Sequence, residues 1–121
     1  MKRLIICLIL MISTLGHILA QELSVIKLNN PNTKRGLPVM EALLQRASVK
    51  EWSERKLNIQ ALSDLLWAAN GINRPDESKR TAASALNAQD VDVYVLMEEG
   101  VYLYDAKLQQ LTPVAKGDFH S

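Results

Sequence analysis

Two short stretches of this chain carry residue types that could hold a phosphorylated ring. Arg46, Ser48 and Lys50 fall at alternate positions. In an extended link, alternate side chains point the same way, so all three could converge on one anion. Arginine offers a bidentate fork and lysine a mobile point charge, and both suit phosphate. Ser84 and Asn87 lie in the run Ser84-Ala85-Leu86-Asn87-Ala88-Gln89, among small residues that let a flat ligand approach. A planar heteroaromatic ring needs an edge of amide donors and acceptors, which Asn87 supplies. Each group also has a plainer reading. Cations at a helix C-terminus complement its dipole, and Ser and Asn are common helix caps. On local chemistry alone, the plainer readings are the stronger ones.

Other chemistry finds little support. Cys7 is the single cysteine and lies inside an apolar run, which leaves no cysteine pair for a disulfide or a metal. His120 has no visible ligand partners, so a metal centre is not expected. No serine pairs with a usable histidine and acid. No glycine-rich phosphate loop is present. Glu98-Glu99 reads as a hydrated turn, and no residue is singled out as catalytic. Trp67 reads as a core or interface residue of its helix. Trp52 reads as an anchor of the link.

These candidates must be positioned by the rest of the chain. Met1-Lys2-Arg3 is a short basic start, followed by an unbroken apolar run from Leu4 to Ile12. Residues 1–20 read as a signal peptide cut between Ala20 and Gln21, with a cut after Gly16 as the alternative. The expectation is an exported, periplasmic protein; an uncleaved, N-terminally membrane-anchored form is the alternative. The whole chain carries a formal charge of +1. Removing Lys2 and Arg3 leaves acidic residues in slight excess. That excludes a nucleic-acid binder, which needs a basic surface. About 100 residues remain, enough for one modest core.

Residues 21–36 form an N-terminal extension, with a short extended piece and the turn Asn29-Asn30-Pro31-Asn32. Gly36-Leu37-Pro38 opens a first helix, whose apolar face is Leu37, Met40, Leu43, Leu44 and Ala47. Val49 to Lys56 is a loop or extended link. Asn58 is the N-cap of a second helix with the face Ala61, Leu62, Leu65, Leu66 and Ala69, stopped at Gly71. Asn73-Arg74-Pro75-Asp76 is a turn, and Glu77 to Ala88 is a loop leading into a short helical turn. Val91, Val93, Val95 and Met97 alternate as a strand. Glu98-Glu99-Gly100 turns the chain into a return strand over 101–105, and Leu111 to Val114 gives a third. The three tyrosines, Tyr94, Tyr102 and Tyr104, read as ordinary sheet residues. The fold class is α+β, with helices packed on an antiparallel sheet.

Order and spacing add a resemblance. Arg46-Ala47-Ser48-Val49-Lys50, with Trp52 and Leu57, resembles the nitroreductase family's R-R-S-x-R/K-x-F motif. Ser84-Ala85-Leu86-Asn87-Ala88-Gln89 resembles its S-x-x-N-x-Q segment. Between them, Leu62 to Gly71 is similar to its helix L-x-x-L-L-W-A-A-x-G. Val101 to Asp105 is similar to a strand of the SagB-type branch. Ala47 departs from the second arginine, and Ala83 stands where related sequences often carry proline. The resemblance covers about residues 37–118 and marks 37–121 as the N-terminal part of a nitroreductase-like domain.

The resemblance implies FMN bound in clefts of a homodimer, with NAD(P)H as electron donor and a small nitroaromatic or quinone-like acceptor. By that analogy Arg46, Ser48 and Lys50 contact the FMN phosphate and ribityl chain. Asn87 hydrogen-bonds the isoalloxazine edge, with Ser84 nearby. Family domains are about twice as long, so the expectation is a truncated domain or one completed by a missing C-terminal half. The alternative is a non-enzymatic remnant or partner subunit of a flavoprotein.

Overall fold

The computed structural model describes residues 22–119. The expected signal segment at 1–20 and His120 lie outside the described residues. Among the described residues, no helix is long and apolar enough to cross a membrane. The elements in order are β1 (Ile26–Lys27), α1 (Val39–Gln45), α2 (Ile59–Asn70), β2 (Ile72–Arg74), β3 (Lys79–Arg80), β4 (Tyr94–Met97), β5 (Gly100–Asp105) and β6 (Gln110–Lys116). Short 3-10 turns occupy Pro75–Glu77 and Ala85–Asn87. The arrangement is the expected α+β one. A four-stranded antiparallel sheet runs β1-β6-β5-β4, and β2 and β3 form a separate two-stranded ribbon.

Helix α2 starts and stops where its sequence says. The Asn58 side-chain oxygen accepts from the Ala61 N–H at 2.8 Å, satisfying one of the orphan donors of the first turn. Gly71 closes the helix by donating its N–H to the Trp67 carbonyl at 2.8 Å. It is extended, at φ −76°, so a left-handed stop is not why glycine stands there. A Cβ at Gly71 would lie 2.6 Å from Trp67 Cγ, so the indole occupies the space of the missing side chain.

The buried face of α2 is rotated from the one expected. Ser63, Leu66 and Asn70 are buried, while Leu65 and Ala69 are exposed. Two polar residues enter because both are satisfied. Ser63 Oγ donates to the Ile59 carbonyl and accepts from the Asn29 N–H. Asn70 Nδ2 donates to the Val91 carbonyl at 3.1 Å. Apolar periodicity sees neither bond, so it centres the face one position away.

The core joins α2 to the sheet. Leu28, Leu66, Tyr102, Tyr104, Ala106 and Leu111 are buried, with Leu62, Val93, Val95 and Met97 packed around them. Val93, Val95 and Met97 of the expected alternation thus pack on the core, while Val91, which opened it, is exposed. The regular strand β4 starts only at Tyr94. Tyr102 and Tyr104 are core residues, more buried than their type predicts. The β4–β5 turn is Glu98-Glu99 alone, because Gly100 already pairs with Met97. β6 carries Pro113 in an interior strand. The register slips there, with Val101 opposite Ala115 and Tyr102 opposite Pro113. Such a bulge is where a sheet accepts a residue that lacks an N–H. β1 pairs only Leu111 and Gln110, so it ends before reaching the proline.

Helix α1 forms at the expected apolar spacing, but it ends at Gln45, before Ala47. None of its residues is buried, and Leu37, Met40, Leu43 and Leu44 stay exposed, Leu44 at 86%. Trp52, in the link that follows, is 88% exposed.

Candidate functional site

Arg46 ends α1 in an extended conformation, with φ −62° and ψ 121°. From there to Leu57 the chain has no regular secondary structure. Arg46, Ser48 and Lys50 are all exposed in this link. None of the three makes a hydrogen bond or ion pair among the described residues, so their donors are uncommitted. The cationic link is therefore a set of free anion donors following a helix end.

The second group is built differently. The hairpin of β2 and β3 leads into a tight loop over residues 84–89. Leu86, Asn87 and Gln89 all adopt positive φ, between 52° and 57°. Asparagine tolerates that region; for leucine and glutamine it costs about 1 kcal/mol each. Side chains hold the loop in place. Ser84 Oγ accepts from the Gln89 N–H at 2.7 Å, closing it. Ser84 is thus a loop clasp and makes no side-chain cap to its own short turn. Gln89 Nε2 donates to Asn87 Oδ1 at 2.8 Å and to the Ser78 carbonyl at 2.6 Å. Gln89 Oε1 accepts from Arg80 Nε at 2.9 Å. Arg80 also donates from a terminal guanidinium nitrogen to the Asn70 carbonyl at 3.1 Å. A small cleft of about 90 Å³ lies here, between Asn70, Arg80, Ser84, Gln89 and Val91.

Ser84 and Asn87 are thus brought together through Gln89. No hydrogen bond joins them to Arg46, Ser48 or Lys50 among the described residues, and those three do not line the cleft. Asn87 is exposed, with exposed Ala85, Leu86 and Ala88 beside it, which leaves room for a flat group. Arg80 and Gln89 are the members that sequence reasoning passed over. Gln89 stands inside the matched segment and could have been chosen from it. Arg80 has no local sequence signal, because only the fold of the hairpin brings it to Gln89.

Three larger clefts lie elsewhere, among them one of about 630 Å³ between Leu23, Ile26, Tyr102 and Lys116. A second, of about 450 Å³, is apolar, between Ile26, Leu57, Ile59, Leu62, Val95 and Met97, with the Lys56–Glu98 ion pair at its edge. Another, of about 430 Å³, is lined by residues of the 31–36 loop and α2. In the latter Asp64 accepts from the Asn32 N–H, from Gln60 and from Arg35. The Asn32 N–H, then Gln60, hold the Asp64 carboxyl below its usual range. Burial raises the Tyr102 and Tyr104 hydroxyls above theirs. Among the described residues, no cluster of His, Cys, Asp or Glu could hold a metal.

Comparison with known proteins gives one consistent direction. A family model described as the nitroreductase family matches residues 43–120, which includes both candidate groups. A crystal structure from Ralstonia eutropha JMP134, described as a nitroreductase, is 36% identical in sequence. It superposes with a TM-score of 0.77 over 85% of this chain. The match covers 49% of that protein, so this chain spans about half its length. No curated protein matches the chain.

Proposed function

The chain belongs to the nitroreductase family, and from that premise we propose that it is an exported FMN-binding oxidoreductase of the SagB-type branch. The observation that carries the reading is the cationic link. Arg46, Ser48 and Lys50 sit at alternate positions, exposed, with no partner among the described residues. Uncommitted cations beside a hydroxyl suit a phosphate, whose oxygens can accept from all three.

The residues present fit a flavin in their chemistry. Arg46 and Lys50 would bind the phosphate, and Ser48 would donate to the phosphate or the ribityl chain. Asn87 would orient the ring edge, with Ser84 holding the loop that carries it. When bound, FMN supplies the redox chemistry, between NADH or NADPH and a nitroaromatic or quinone-like acceptor. The protein's part is to bind and orient, and no side chain is assigned a proton-transfer role. Two copies associate, and the uncovered apolar residues of α1 supply part of the contact. The remaining walls of the site come from a partner copy or from a C-terminal half outside this sequence.

The test is titration of the purified chain with FMN, followed by visible absorption and flavin fluorescence. The expected result is a saturable spectral change. Arg46→Ala should weaken binding by roughly ten- to a hundredfold, the loss of a charge-assisted hydrogen bond. A chain that binds no FMN would favour a second reading, a non-enzymatic partner subunit.

A further inference from the structure

Asn87 is caught in a chain of hydrogen bonds whose direction is forced. A guanidinium can only donate. Arg80 Nε lies 2.9 Å from one end of the Gln89 amide, so that end must be its oxygen. The other end is therefore the NH2 group. A carbonyl can only accept, and the Ser78 carbonyl lies 2.6 Å from that end, which fixes the same orientation independently. Gln89 Nε2 then spends its second hydrogen on Asn87, so the Asn87 atom 2.8 Å away must be Oδ1. One lone pair of Oδ1 is thereby engaged, and the group of Asn87 left wholly uncommitted for a ligand is Nδ2, a pure donor.

We propose that Gln89, locked by Arg80 and the Ser78 carbonyl, is a positioning residue that presents Asn87 to the ring edge as a hydrogen-bond donor. This rests on the FMN reading and sharpens it. The group that Asn87 meets is an acceptor of the ring, a carbonyl oxygen or an unprotonated nitrogen, and not its N–H. The positive φ of Asn87 and Gln89 belongs to the same device. It turns both side chains toward each other within a loop that Ser84 Oγ closes.

Gln89→Glu is the informative variant. It keeps an acceptor for Arg80, so that tie to the hairpin stays, but it has no hydrogen to give to Asn87 or to the Ser78 carbonyl. Asn87 must then turn its NH2 inward and offer its oxygen to the ligand. Asn87→Asp removes the donor directly. In the full chain, titrated with FMN carrying 13C at its carbonyls and 15N in its ring, one acceptor should show the shift of a donated hydrogen bond. Both variants should lose that shift and bind FMN roughly tenfold more weakly. An unchanged shift in Gln89→Glu, with FMN bound, would overturn the proposal and leave the flavin reading intact. A second arm needs no ligand. Side-chain amide hydrogen exchange in the free protein should be slow at Gln89 and fast at Asn87. Equal or reversed rates would overturn the forced direction even if FMN never binds. Absence of FMN binding alone would count against the flavin reading, with the exchange rates still deciding the direction.

Discussion

Leu111 has no exposed surface and sits where β6 meets α2 and β5. Cutting it to alanine leaves a cavity that a small core cannot close. Leu111→Ala should destabilise the protein by about 2–5 kcal/mol in denaturant unfolding. A surface leucine such as Leu108 should tolerate the same change within about 0.5 kcal/mol. The sequence marked Leu111 as the start of a strand but gave no reason to single it out from other leucines. The same limit applies to the candidate site. Arg46, Ser48, Lys50, Ser84 and Asn87 stand out as candidates because their types and order match a motif. Their partners do not, since Arg80 reaches Gln89 only after β2 and β3 have paired. Spacing names the groups that can touch a ligand; it does not name the groups that aim them.

Helix α2 was legible almost to the residue, from its cap to its terminal glycine. Asn58→Ala should cost about 1 kcal/mol by leaving the Ala61 N–H unpaired, measured by thermal or denaturant unfolding. Gly71→Ala should also destabilise, although alanine favours helices, because its methyl would meet the Trp67 ring. Trp67→Leu in that background should recover part of the loss by clearing the space. Which face α2 buries was not legible, because Ser63 and Asn70 are carried inward by hydrogen bonds to the chain at Asn29 and Val91. Helix α1 shows the converse. Its apolar spacing gave the helix correctly, but spacing cannot say what covers a face, and here its leucines remain exposed. Pro113 illustrates a further limit, since a bulge with Val114 lets β6 run to Lys116, past the predicted end at Val114.

Across the whole molecule, the loop before α1 is tied to α2 by Asp64. The sign of its pH dependence follows from its lowered carboxyl. The carboxylate favours the fold at pH values above the ordinary carboxylate value of 3.8, and the contribution disappears as pH falls through the lower folded value. Unfolding midpoints of the wild type and Asp64→Asn should therefore differ near neutral pH and converge in strong acid. A gap that persists at the acid end would refute this account. The strand order carries a consequence for how the chain is made. β4 and β5 are neighbours in sequence and can pair as a local hairpin. β1 has to wait, because Lys27 and its partner Gln110 are 83 residues apart. Closing so long a loop is slow and comes late. During synthesis, the N-terminal strand therefore leaves the ribosome well before its partner exists. A protein built this way leaves β1 without its neighbouring strand until translation has passed Gln110, a window in which that strand is open to whatever machinery handles new chains.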